Sequence, residues 1–110
     1  MLRGEVIASI NRSNLRKRIL SYLFDHSPEW SYPNEIARGV CSDPSNTTGA
    51  LKGLGVRYNE EVSLIGLGLC EQKQVGITTF YRIKPEKMEE ASEILMVFRG
   101  TQRKYVELEL

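Results

Sequence analysis

The sequence predicts one α+β domain, in which short helices are followed by a β-hairpin and a last helix. Residues 32–54 have the pattern of two short helices joined by a tight turn. Residues 70–83 are the best candidate for a hairpin, and the proline at position 85 opens a further helical stretch. The chain has 110 residues, which is enough for one modest hydrophobic core.

The composition is that of an ordinary globular protein. Hydrophobic residues make up 41% of the chain and charged residues 26%, and the formal net charge is +1. Nucleic-acid binders often have a strongly basic balance, so here local patches would have to attract phosphate. No apolar run approaches the length that spans a bilayer, and the first ten residues are too polar for a signal peptide. We therefore expect a cytoplasmic protein that does not contact membranes.

Residues that could carry catalytic or metal chemistry are sparse. Cys41 and Cys70 lie far apart and His26 is the one further soft ligand, so we expect neither a disulfide framework nor a zinc site. Both thiols are predicted to be reduced and largely buried. No glycine-rich phosphate loop precedes a helix, and no Cys–His or carboxylate pair has a meaningful spacing. The sequence therefore predicts no enzyme, no metal and no cofactor.

The first helix is predicted to begin after Ser13 or Asn14, either of which can cap it. One side of this helix is apolar, with Leu15, Ile19, Leu20, Leu23 and Phe24 recurring at helical spacing. Its first turn carries Arg16, Lys17 and Arg18, which have the wrong sign for the positive end of a helix dipole. These three side chains form either a solvated basic face or a set of phosphate contacts.

Two shorter helices are predicted within residues 32–54. Pro33 suits the first position of one of them, and Asp43 followed by Pro44 gives a clear start signal for the next. Helices with so brief a connection must cross steeply, as in a helix-turn-helix. The second of these helices has a largely apolar stripe at steps of three and four residues, which is predicted to face inward: Thr47, Ala50, Leu51 and Leu54. Its other side is predicted to face outward: Ser45, Asn46, Thr48, Gly49, Lys52 and Gly53.

The second half of the chain is predicted to hold one more helix before the hairpin and another after it. Asn59 can cap a helix over about residues 59–67, with acidic side chains in its first turn. In the hairpin, Gly76 marks the turn, and the strand after it is rich in Ile, Thr, Phe and Tyr. Pro85 opens the last helix and Gly100 closes it.

The last helix carries a single apolar stripe, formed by Met88, Ala91, Leu95 and Phe98. A single stripe suits either pairing with a second copy of the chain or packing on the core of its own domain. The domain is predicted to cover residues 1–99. The tail over residues 100–110 alternates apolar and acidic residues, which suits either a strand or a disordered terminus.

The order of these elements resembles a winged helix-turn-helix domain, and in particular the small archaeal and prokaryotic transcriptional regulators of the MarR and ArsR kind. The resemblance covers residues 14–98. The motifs that carry it are RKRILSYL in the first helix, SYPNEIARGV in the second, SDPSNTTGALKGL in the third, and GLCEQ and FYRI in the strands of the wing. The predicted helix at about 59–67 departs from the family pattern, in which a short connection leads to the wing.

This resemblance implies a sequence-specific DNA-binding transcriptional regulator. Its recognition helix, at about residues 44–54, would enter the major groove, where Asn46 can pair with adenine. The implied DNA contacts are Ser45, Asn46, Thr48 and Lys52 on that helix, Arg57 after it, Lys73, Gln74 and Arg82 on a wing at about 70–83, and Arg16, Lys17 and Arg18 on the first helix. The implied partners are double-stranded DNA and a second copy of the chain, joined through the C-terminal helix.

A second interpretation stays open. The near-neutral net charge and the glycines on the outward face of the recognition helix favour a winged-helix module that binds protein, as part of a transcription or replication assembly. The two interpretations predict different responses of DNA affinity to salt.

Overall fold

The computed structural model describes residues 13–54 and 59–97, together with Gly4, Val6 and Ile10. The elements in chain order are α1 (Asn14–His26), α2 (Pro33–Val40), α3 (Pro44–Lys52), the 3-10 helix η1 (Glu60–Val62), β1 (Cys70–Val75), β2 (Thr78–Ile83), the 3-10 helix η2 (Pro85–Lys87) and α4 (residues 88–97). This order confirms the predicted α+β architecture. Arg57, the end of the last helix and the predicted tail lie outside the described residues.

The first three helices pack around one apolar core. Ser13 caps α1, because its hydroxyl accepts a hydrogen bond from the backbone N–H of Arg16 at 3.2 Å. α2 ends at Cys41, which adopts the left-handed conformation with φ 57° and ψ 51°. The core cluster takes in Ile19, Leu20 and Leu23 of α1, Ile36 and Val40 of α2, and Ala50 and Leu51 of α3.

The inward and outward faces of α3 differ in part from the prediction. Leu54 was expected inward but is 45% exposed, because α3 ends at Lys52 and Leu54 lies beyond it. Gly49 and Gly53 were expected outward but are both buried. At Gly53 the reason is the close approach of η1, since a Cβ there would lie 2.9 Å from the backbone nitrogen of Glu60. The chain itself, rather than a ligand, covers this glycine.

The helix predicted over residues 59–67 is limited to the 3-10 helix η1, followed by turns. The backbone N–H groups of Leu64 and Ile65 donate to the carbonyls of Ala50 and Leu51, each at 2.9 Å. A continuous helix would need those N–H groups for its own ladder, so the hydrogen bonds to α3 replace it. The segment over residues 59–67, here called the insertion, thereby satisfies carbonyls in the last turn of α3 and fixes the end of that helix.

The hairpin pairs Cys70 with Ile83 at one end and Val75 with Thr78 at the other, in antiparallel register. Ser31 forms a single bridge on the other side of β2: its N–H donates to the Tyr81 carbonyl at 2.9 Å and its carbonyl accepts from the Tyr81 N–H at 2.7 Å. On one sheet face the side chains of Cys70, Tyr81 and Ile83 are buried in the core.

The apolar stripe of α4 packs on its own domain. Ala91, Ile94 and Leu95 are buried in the same cluster as the first three helices, and Met88 packs against that cluster. In the described part of α4, the stripe therefore packs on the core of its own domain. No helix among the described residues is long and apolar enough to cross a membrane.

The two thiols are expected to differ sharply in reactivity. Cys70 is 1% exposed, and burial raises the pKa of its thiol to about 12. Cys41 was predicted to be largely buried but is exposed, because it is the left-handed residue at the turn between α2 and α3.

A chromogenic disulfide reagent at pH 8 should modify one thiol per native chain and two after denaturation, because the reagent attacks accessible thiolates. Cys41→Ser should leave no reactive thiol in the native protein, and rapid native labelling of that variant would contradict the burial of Cys70.

Candidate nucleic-acid interface

The N-terminus of α3 is built around Asp43. One carboxylate oxygen accepts from the backbone N–H of Asn46 at 2.8 Å, which caps the helix as predicted. The other oxygen accepts from the side-chain amide nitrogen of Asn46. Because a carboxylate only accepts hydrogen bonds, this contact fixes which end of the Asn46 amide faces Asp43. Asp43 thus positions the side chain for which the sequence predicted a base contact.

A groove of about 420 Å³ runs between α3, the start of α2 and the strand β2. Thr48 and Lys52 line it from α3, which places two of the predicted contacts of the recognition helix on one wall. The opposite wall is formed by Ile77, Thr78, Thr79 and Tyr81 of the hairpin, and Pro33 and Asn34 lie at the start of α2. Ser45 is exposed at the start of α3. The structure therefore brings Thr48 and Lys52 of α3 together with the tip of the hairpin.

Gln74, one of the predicted wing contacts, is part of the hairpin turn. Its amide nitrogen donates to the Gly76 carbonyl at 3.2 Å, and its amide oxygen accepts from the Thr79 hydroxyl at 2.7 Å. These two hydrogen bonds tie the ends of both strands to the loop between them. Gln74 therefore stiffens the wing tip, in addition to any contact that it makes outside the chain.

Lys73 and Arg82, the other predicted wing contacts, lie over the ring of Trp30. The Lys73 amine is 4.6 Å from the ring centre and the Arg82 guanidinium carbon is 4.3 Å from it. Arg82 also lies 3.6 Å from a carboxylate oxygen of Glu71 and donates to the Pro28 carbonyl at 3.4 Å. Such contacts hold a cation against an aromatic face and reduce its freedom to reach phosphate.

The register of the sheet explains this placement. Since Ser31 pairs with Tyr81, the residues beside them, Trp30 and Arg82, lie next to each other on the opposite sheet face. In the same way Lys73 pairs with Phe80, and both share that face with Trp30. The two cations therefore lie on the face of the wing opposite the buried ring of Tyr81.

The basic residues of α1 do not act as one patch. The Arg18 guanidinium donates to the Val40 carbonyl at 2.6 Å, so it holds the last carbonyl of α2 and serves the packing of two helices. Arg16 and Lys17 are half-buried and each makes further interactions. The predicted contact set is therefore divided among α3, the turn of the wing, the outer sheet face and the packing of α1 on α2.

Reasoning from sequence missed Trp30 and the side chains at the wing tip that face α3. The sequence predicts a linker over residues 28–32 and assigns no role to Trp30. Thr79 and Ile77 carry no charge, so they lack the positive charge that marks a phosphate contact in a sequence. No group of three His, Cys, Asp or Glu that could hold a metal ion occurs among the described residues.

Three core helices, a hairpin that packs against the first two of them and a following helix define a winged helix-turn-helix domain. Residues 6–94 match the EarA-like family, and the chain belongs to this family. The uncharacterized protein MJ0905 of Methanocaldococcus jannaschii is 47% identical over 78 residues, which span 71% of this chain and 70% of that protein.

Solved structures of a transcription regulator share the fold. MepR, a transcription regulator of the Staphylococcus aureus multidrug efflux pump MepA, superposes with a TM-score of 0.62 over 96% of this chain and 74% of its own. A MepR mutant bound to oligodeoxyribonucleotide superposes with a TM-score of 0.60 over 94% of this chain and 72% of its own. Sequence identity is 12% in both cases, so the likeness concerns the fold.

Proposed function

We propose that this protein is a sequence-specific regulator of transcription that binds double-stranded DNA through α3 and the wing. The observation that carries the proposal is the groove lined on one side by Thr48 and Lys52 and on the other by the hairpin tip. A recognition helix needs polar outward side chains at its first turns and room for a duplex beside it. The fold that it shares with a DNA-bound MepR mutant supports the same function.

Each contact in this proposal has a distinct role. Asn46, held by Asp43, would read an adenine in the major groove, and Thr48 would offer a hydroxyl or a methyl group to a base. Lys52 is exposed one turn further along and would bind guanine or phosphate. Lys73, Arg82 and Arg18 would contribute less than their charge suggests, because each is held within the chain.

Selection of bound duplexes from a random DNA library tests this function. A regulator of this kind should enrich a short motif, because each base contact adds about 1–3 kcal/mol of discrimination. Recovery of unenriched sequences after several rounds would contradict sequence-specific binding.

A protein-binding module remains the alternative function. The wing tip exposes Val75 and Ile77, and apolar side chains of this kind also suit a protein surface. The alternative predicts no measurable affinity for duplex DNA at low salt, whereas the DNA-binding proposal predicts affinity that falls steeply as salt rises.

We also propose that the protein acts as a homodimer joined through its C-terminal helix. Because Ala91 and Leu95 are buried in their own domain, pairing would use the other side of α4, where Met96 is 69% exposed.

Met96→Glu should then shift sedimentation from dimer to monomer and weaken binding to paired half-sites, since a charge would enter an apolar contact. Glu89→Gln, an exposed change on the same helix, should leave the dimer intact. A wild-type chain that sediments as a monomer at micromolar concentration would contradict the dimer.

A further inference from the structure

The tip of the wing is apolar. Ile77 is fully exposed, with 100% of its surface accessible, and Val75 at the end of β1 is 56% exposed. The tip sequence, QVGITT over residues 74–79, contains no cation. The isoleucine side chain has neither charge nor hydrogen-bond donor, so attraction to phosphate does not account for its exposure.

The backbone of the turn that carries Ile77 is braced by hydrogen bonds. The loop consists of Gly76 and Ile77, and the positive φ of 62° at its first residue is the pattern of a type II′ turn. The hydrogen bonds of Gln74 with Gly76 and Thr79 brace this turn on one side. Ile77 is itself β-branched and therefore stiff at χ1. A side chain presented in this way loses little conformational freedom when it enters a binding partner.

Ile77 and the outward side of α3 border the same groove. Ile77 lies on the wall of the groove opposite Thr48 and Lys52. A duplex that placed its major groove on α3 would bring its neighbouring backbone and minor groove toward the hairpin tip. The apolar tip and the polar face of α3 would then contact the same duplex at adjacent points.

We propose that Ile77 enters the minor groove beside the site read by α3 and acts there as an apolar wedge between base pairs. The proposal rests on the DNA-binding function proposed above. Proteins that bind the minor groove often insert Ile, Leu, Phe or Met between base steps and kink the duplex. Such kinks form most easily at pyrimidine–purine steps such as TA. Ile77 would therefore add a preference for a flexible step at a fixed distance from the motif read by α3.

The test compares wild type with Ile77→Thr, which keeps the β-branch and removes the apolar end of the side chain. Val75→Thr is the matched control, because Val75 is also an exposed β-branched residue at the tip but lies on the sheet face of Lys73 and Trp30. The duplexes carry the selected motif with the flanking step set to TA or replaced by a stiff A-tract. Affinity is measured by fluorescence anisotropy, and bending by energy transfer between dyes on the duplex ends.

Wild type and Val75→Thr should bind the TA-flanked duplex roughly tenfold more tightly than the A-tract duplex, and should bend it. Ile77→Thr should lose both the flank preference and the bend while the salt dependence of binding stays the same, because no charge changes. An unchanged flank preference or bend in Ile77→Thr, or equal losses in Val75→Thr, would overturn the role of Ile77. Wild-type binding with neither preference nor bend would also overturn it and leave the DNA-binding function intact. No duplex binding by the wild type would overturn both proposals.

Discussion

Replacement of Asn46 by alanine is expected to reduce the preference for the selected DNA site over random duplex by roughly 10- to 100-fold. The reason is the loss of an amide that can donate and accept at the edge of one adenine and that Asp43 holds in place. Affinity for random duplex should hardly change, because that affinity comes from phosphate contacts. Competition binding of the selected site against random duplex measures both quantities in one titration.

The Asn46→Ala substitution should leave the N-terminal cap of α3 intact. Asp43 caps α3 through the backbone N–H of residue 46, which alanine retains, so thermal stability should stay close to that of wild type. Lys52→Ala should behave differently: it should weaken binding to both duplexes to a similar extent and reduce the salt slope by about 1. Equal losses on the selected and random duplexes for Asn46→Ala would refute base reading by this residue.

Replacement of Gly66 by alanine is expected to cause the largest loss of stability among the variants considered. A Cβ at Gly66 would lie 1.9 Å from the carbonyl oxygen of Glu60, and backbone at this position cannot move aside as a flexible side chain would. The N–H of Gly66 is also held by the Ser63 hydroxyl at 3.0 Å. We expect a cost of about 3 kcal/mol, at the upper end of the usual range for overpacking.

Thermal unfolding followed by circular dichroism measures this loss, which should lower the melting temperature by roughly 10–20 °C for a domain of this size. Gly68→Ala is the matched control. Gly68 has a φ of 80° but open space around it, so alanine there should cost only about 1–2 kcal/mol of backbone strain. A melting temperature for Gly66→Ala equal to or above that of Gly68→Ala would mean that the insertion does not fold back on η1 as described.

Much of the fold was predictable because its signals are local. The start of α3 follows from Asp43 and Pro44, whose cap and fixed φ act within one helical turn. The hairpin follows from β-branched and aromatic residues around Gly76, and its predicted bounds, residues 70–83, agree with the ends of the observed strands. The winged helix-turn-helix fold then follows from the order of these elements.

Other features depend on contacts between distant parts of the chain, which periodicity does not reveal. Residues 59–67 form turns rather than a helix because the N–H groups of Leu64 and Ile65 bind carbonyls of α3. The predicted wing cations Lys73 and Arg82 lie over Trp30 because one bridge, between Ser31 and Tyr81, sets the face on which they fall. A sequence shows how many cations are near a wing, but the register decides where they point.

The salt dependence of duplex binding tests the central claim most directly, since the claim is that α3 and the wing hold double-stranded DNA. The affinity of the wild-type chain for its selected duplex should fall linearly on a log–log plot, with a slope of about −0.9 for each phosphate contact. Three such contacts would weaken binding roughly 40-fold between about 50 mM and about 200 mM salt. Affinity that does not change with salt, or no measurable duplex binding at the lowest salt, would contradict the claim and favour a protein-binding module.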